Sequence, residues 1–204
     1  MISLMLLTEK KHGDIKGRQV YNGKPTRDWV SKEDKASPTV ATEALLLTAM
    51  IDSIENRDVM SADIPNAFIQ AKLERKQDEE RVIMKVTGKL VDWLVELSPE
   101  TYQSCVIEER GRKVLYVEVL RAIYGMLEAA MLWYHEFRKR LEEIGFKFND
   151  YDACVANRTV KGRQHTIRYH VDDLLSSHEQ KEVNDDFLTW LQSIFGKHKP
   201  VTSK

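Results

Sequence analysis

Two periods of apolar residues run along the chain, and the places where one gives way to the other mark its elements. Residues 2 to 9 and 16 to 22 read as a hairpin around His12, Gly13 and Asp14, with polar turn chemistry between. A loop rich in Lys, Asp and Pro fills 23 to 37. Ser37-Pro38 then supplies a cap and a first-turn proline for a helix to about Ile54, with Ala44, Leu47 and Ile51 on one side. The segment 57 to 63, RDVMSAD, predicts a short strand, and NAFIQA after it the first turns of a helix. Residues 74 to 81 are a solvated charge run. VIMKV and KVLYVEV predict strands, separated by a mixed, partly helical excursion over 87 to 112. The longest predicted helix runs from about Tyr124 to Ile144 and stops at Gly145. Two further strands meet at Lys161-Gly162, and the second enters a turn at Asp172-Asp173. Phe187, Leu188, Leu191 and Ile194 recur at helical spacing in a last helix over about 180 to 195.

A length of 204 residues and 42% hydrophobic content permit a sizeable core. A net charge of −1 gives no overall basic surface for a polyanion. Two cysteines, Cys105 and Cys154, offer neither a disulfide framework nor a CxxC metal site, and suit a reducing compartment. MISLMLL is too short for a membrane span or a signal segment and reads better as a strand. These features lead us to expect a soluble intracellular protein, cytoplasmic or nuclear, with no membrane partner.

Asp172 and Asp173 stand out because they interrupt two strand-like runs, TIRYHV and LLSS. Asp185-Asp186 repeats the pair, but there the acids fall on the solvent side of a helix. Asp63 shares the odd context, ending RDVMSAD just before Pro65. Strand-end acids from distant parts of a chain suggest a site for a hard divalent cation such as Mg²⁺, which takes oxygen ligands and leaves room for a phosphate. The plain alternative is that Asp63 caps the next helix and that Asp172-Asp173 is a polar turn.

SADIPNAFIQA, LRAIYGMLEAAMLWY, EEIGFKFNDYDACV and HVDDLL together resemble the ordered motifs of the copia-type retrotransposon reverse transcriptases. The matching residues are Asp63 with Ala67-Phe68, Ala122 with Tyr124-Gly125, Trp133-Tyr134, Gly145-Phe146, Asp152 with Cys154, and Val171-Asp172-Asp173. IKGRQVYNGK is similar to the family's basic finger strand. The resemblance covers about residues 6 to 196.

The resemblance implies an α+β, right-hand polymerase fold, with fingers and a palm whose small antiparallel sheet is backed by helices. It divides the single domain 1 to 204 at about residue 56, fingers-like before and palm-like after, with a possible insertion at 87 to 112. It implies an RNA-directed DNA polymerase using Mg²⁺ or Mn²⁺, an RNA template, a DNA primer and deoxynucleoside triphosphates. By the same carry-over Asp63 and Asp172 are metal-binding carboxylates and Asp173 supports them. Lys16 and Arg18 reach the triphosphate, Phe68 packs under the deoxyribose, and His170 and Tyr124 contact primer or template. A core aromatic at position 68 and an exposed basic hairpin remain alternative readings of Phe68, Lys16 and Arg18.

Departures are visible too. His170 stands where the family carries Tyr, and alternation puts Arg168, His170 and Asp172 on one strand face. His165, His170 and His178 do not make a zinc triad, since the first two point to opposite faces. Met126-Leu127-Glu128-Ala129-Ala130 replaces the usual Leu-Lys-Gln-Ala-Pro. Because the family continues into a thumb and a ribonuclease H domain, we expect a portion cut before the thumb, from a Gag-Pol-type polyprotein. A catalytically silent remnant that binds nucleic acid weakly is the alternative. A palm-like nucleotide cyclase is a third, without a purine-reading motif.

Overall fold

The computed structural model describes residues 3–9, 11, 13–28, 31, 36–73 and 81–203. His12 of the expected first turn and nearly all of the charge run at 74 to 81 lie outside these residues. Two units divide the chain, each drawn from two stretches: 1–35 with 71–129, and 36–70 with 130–204. The division is therefore interleaved along the chain. The whole is mixed α/β with small antiparallel sheets.

The first unit holds the hairpin of β1 (Ser3–Glu9) and β2 (Ile15–Tyr21). It also holds a three-stranded sheet in the order β4 (Ile83–Thr87), β6 (Arg112–Glu118), β5 (Ile107–Glu109). The excursion at 87 to 112 becomes helices α3 (Lys89–Leu97) and α4 (Pro99–Tyr102), a 3-10 turn and β5. Val86, Val91, Val114 and Leu115 form its buried centre. The chain around Gly125 closes against the hairpin. The Tyr21 N–H donates to the Tyr124 carbonyl at 2.7 Å. Gly125 has φ 91°, and a Cβ there would lie 2.0 Å from the Tyr21 carbonyl oxygen, so only glycine fits. This turn occupies the expected start of the long helix, which therefore begins only at Ala129.

The second unit is a six-stranded antiparallel sheet in the order β11-β3-β10-β9-β8-β7. Its strands are β3 (Asp58–Asp63), β7 (Lys147–Phe148), β8 (Val155–Val160), β9 (Arg163–His170), β10 (Asp173–His178) and β11 (Thr202–Ser203). Lys161-Gly162 joins β8 to β9 with both residues at positive φ, the tight turn whose twist suits a hairpin. One sheet face carries α5 (Ala129–Glu143) and α6 (Lys181–Phe195). Trp133 stacks on Phe137 at 5.3 Å between centroids, Phe137 meets the Tyr169 ring edge-on, and Phe195 closes against both α5 aromatics. Each such buried ring contributes about 2–3 kcal/mol. Helix α5 ends as Gly145 predicts: Phe146 N–H returns to the Leu141 carbonyl and Gly145 N–H to that of Glu142.

Helix α1 (Thr42–Ile54) packs on the opposite face. Its start differs from the expectation at Ser37-Pro38. Ala41 occupies the cap position, and its N–H is satisfied by the Asp152 carboxylate at 2.8 Å, from a loop far along the chain. Its inward side differs as well. Asp52 is the buried residue, while Leu46, Leu47, Met50 and Ile54 are exposed. Asp52 reaches the buried Arg168 of β9 at 2.6 Å. No helix among the described residues is long and apolar enough to cross a membrane.

Under α6 runs a directional chain of hydrogen bonds. Arg158 Nε–H donates to His165 Nδ1, so the neutral imidazole carries its proton on Nε2 and donates to Ser176 Oγ at 2.7 Å. Ser176 donates to Asn184, whose amide donates to the Asp58 carboxylate and carbonyl. Burial, aided by the Arg158 charge, pushes the His165 pKa down to about 3. The folded state therefore resists a proton that the unfolded chain accepts below about pH 6.5. Stability should fall by about 2 kcal/mol between pH 6.5 and 5. Urea unfolding across that window checks this, with His165→Gln expected to flatten the slope; an equal slope in both proteins contradicts it.

Candidate active site

The three aspartates meet through sheet register. Strand β3 ends at Asp63 and β10 begins at Asp173, and the antiparallel ladder sets these residues opposite each other. On its other side Asp173 pairs with His170, the last residue of β9. Val171-Asp172 is thus a two-residue turn, and its carbonyl at Asp172 accepts the Ile64 N–H at 2.9 Å. Residues distant in sequence come together because β3 and β10 are neighbours. Asp185 and Asp186 stay exposed on α6, with Asp185 paired to Lys181.

The turn is unusual. Val171 has φ 59°, while Asp172 is not among the residues at positive φ. That combination belongs to the tight hairpin turn whose first central residue is ordinarily glycine. A β-branched residue there carries strain of about 1–3 kcal/mol. The Trp133 indole N–H donates to the Val171 carbonyl at 2.7 Å. Asp172 therefore lies in the turn itself and not in line with Arg168 and His170 on the β9 face, as alternation alone suggested.

Asp63 and Asp173 are exposed and Asp172 is half-buried. The Asp172 carboxyl is held above its ordinary range, first by burial, then by the neighbouring charges of Asp173 and Asp63. A hydrogen bond from its own backbone N–H and the nearness of His170 oppose this. Among the described residues no three His, Cys, Asp or Glu side chains are arranged as a ready metal-binding set. The donors at the hairpin are nonetheless all carboxylate oxygens, the chemistry that suits Mg²⁺ or Mn²⁺, and their mutual repulsion is what a cation would relieve.

Phe68 sits half-buried in the short helix α2 (Ala67–Gln70), which follows Asp63 by one loop. Gln70 ties that helix to the end of α6 through the Phe195 carbonyl. His170 is exposed beside Asp173. His165 and His178 are buried, 5.9 Å apart between ring centroids.

Lys16, Arg18 and Tyr124 belong to the first unit. Lys16 and Arg18 lie on β2, opposite Thr8 and Leu6, exposed and on one face of the hairpin. The Arg18 guanidinium lies 5.8 Å from the centre of the Tyr124 ring, a cation–π contact. Asp152 and Cys154, read as a motif, have structural tasks. Asp152 binds the Ala41 and Cys154 N–H groups, and the Cys154 thiol is buried, its pKa pushed up to about 12 by that burial.

Sequence reasoning did not find the Trp133 bond to the turn or the Asp52–Arg168 pair. The one available signal was a β-branched residue at the centre of a two-residue turn.

The chain is thus a mixed α/β protein with an acidic hairpin at one end of the inner strands of an antiparallel sheet. No protein-family model matches its sequence, and no curated protein matches it. Among solved structures it is similar to a telomerase from Candida tropicalis, solved in complex with the TWJ fragment of telomeric RNA. That similarity covers 100% of this chain and 41% of the telomerase chain, at 10% identity and a TM-score of 0.47. The chain therefore spans less than half the length of that telomerase.

Proposed function

We propose that the chain is the fingers-and-palm portion of a copia-type reverse transcriptase, an RNA-directed DNA polymerase. The observation that carries this is the meeting of Asp63 with Asp172-Asp173 across β3 and β10. These acids head the first and last of the ordered motifs that resemble the family.

In this reading the primer 3′-hydroxyl attacks the α-phosphate of a deoxynucleoside triphosphate; the new P–O bond forms as the bond to pyrophosphate breaks. Asp63 and Asp172 would hold Mg²⁺ or Mn²⁺, with Asp173 as the supporting third carboxylate. The cation, when bound, supplies charge neutralisation to the attacking and leaving oxygens. The protein's own part is positioning: the turn holds Asp172 beside Asp63, and His170, exposed beside Asp173, would contact the primer strand. For Lys16, Arg18 and Tyr124 the triphosphate and template roles rest on the sequence motifs alone.

Phe68 follows Asp63 closely enough for its ring to lie under a deoxyribose and exclude a 2′-hydroxyl. Phe68→Ala should reduce discrimination against ribonucleotides by about tenfold or more. Single-nucleotide incorporation with paired deoxy- and ribonucleotides reads this, and unchanged discrimination returns Phe68 to a packing role. The function itself is tested by Mg²⁺-dependent primer extension on an RNA template. No extension by the wild-type chain overturns the catalytic reading in favour of the silent remnant.

A further inference from the structure

We infer that Trp133 is the positioning residue of the acidic hairpin: its indole N–H holds the strained Val171-Asp172 turn in the one conformation that keeps Asp172 beside Asp63. The inference rests on the proposed carboxylate site and adds the residue that shapes it.

The turn is ill-suited to its own residues. Val171 at φ 59° is disfavoured by its Cβ branching, so the local sequence prefers to relax toward extended backbone. Two hydrogen bonds from outside the hairpin oppose that relaxation. Ile64 N–H grips the Asp172 carbonyl and Trp133 Nε1 grips the Val171 carbonyl. The first comes from backbone and belongs to any sequence. The second depends on one side chain.

Trp133 is suited to the task because it cannot move. It is 1% exposed, stacked on Phe137 and held edge-on by Phe195, each at 5.3 Å. A donor locked in the aromatic core therefore fixes a carbonyl at the site's edge. Packing alone accounts for a large buried ring at position 133, and the indole adds a donor that a phenyl ring lacks. The N–H finds its acceptor in the turn, one residue before Asp172.

The test separates a positioning role from a merely structural one. Trp133→Phe keeps an aromatic ring and removes the donor. Phe187→Leu, in the core beneath α6 and outside the hairpin's hydrogen bonds, is the control for a loosened core. Each full-length protein is titrated with Mn²⁺ while the amide resonances of Asp63, Asp172 and Asp173 are followed for paramagnetic broadening. The Val171 Cα and Cβ shifts are recorded without metal. Trp133→Phe should weaken Mn²⁺ binding at the hairpin by about tenfold or more, and move the Val171 shifts toward strand values. Phe187→Leu should lower thermal stability and leave both readouts unchanged.

Val171 shifts that stay at wild-type values in Trp133→Phe overturn the inference, with or without metal binding. So does an equal loss of Mn²⁺ binding in Phe187→Leu. Failure of the carboxylate reading looks different. No broadening would occur in the wild type, while Trp133→Phe would still move the Val171 shifts.

Discussion

Asp172→Asn should lower Mg²⁺-dependent primer extension by about a thousandfold and at the same time raise the melting temperature by about 2 °C. The first effect follows from removing a charged oxygen ligand while keeping the shape of the side chain. The second follows from the electrostatics of the hairpin. The folded protein holds the Asp172 carboxyl above its ordinary range, through burial and then through Asp173 and Asp63. A carboxylate raised on folding costs stability wherever it is ionised, because the unfolded chain releases the proton more readily. That cost is absent below the ordinary carboxylate pKa and complete above the raised one. The gain from Asn should therefore be full at pH 7 and vanish near pH 3. Extension assays with both proteins, and melting curves across that range, check the two halves separately. An active Asn variant removes Asp172 from the mechanism; a lowered melting temperature at pH 7 contradicts the electrostatic account. The combination, activity lost and stability gained, is the mark of a residue kept for chemistry.

Arg168→Met should destabilise the fold by about 3–5 kcal/mol, because it strands the Asp52 carboxylate between α1 and the sheet. The two side chains are 3% and 7% exposed and touch through one short hydrogen bond, Nη2 to Oδ2. Among the described residues Asp52 Oδ1 and Arg168 Nε and Nη1 find no partner, so the pair is not a bidentate fork. Such a pair holds position better than it stabilises. Replacing both members, Arg168→Met with Asp52→Leu, should recover most of the loss. Urea unfolding of the singles and the double gives the coupling directly. A double variant as unstable as the single would show that the cost is packing and not stranded charge.

Much of the secondary structure is legible in the chain. The apolar run MISLMLL and the segment GRQVY mark β1 and β2, Lys161-Gly162 marks a hairpin, and Gly145 ends α5 where a left-handed residue is needed. The carboxylates were legible as candidates because acids at strand ends are costly enough to need a reason. Burial was the weak point. The spacing in α1 puts Ala44, Leu47 and Ile51 on one side, yet Leu47 is exposed, while Asp52 turns inward to meet Arg168. Periodicity places an apolar stripe on a helix. It does not say which side a distant strand will meet, and here a buried charge on β9 selects the polar side. The start of α1 was misplaced for a related reason, since the carboxylate that satisfies its first N–H comes from Asp152.

The sequence by itself determined the local backbone: strands where β-branched and aromatic residues alternate, turns at Lys161-Gly162 and Gly145, and acids at Asp63, Asp172 and Asp173 that no core would accept. These are nearest-neighbour matters, decided by dihedral preference and side-chain period. The tertiary structure alone decided that β3 lies against β10, so that Asp63 faces Asp173. It alone set Trp133 under Val171 and Asp52 against Arg168. Those pairings join residues far apart along the chain. They depend on sheet order and on which helix face docks, quantities that no local window contains.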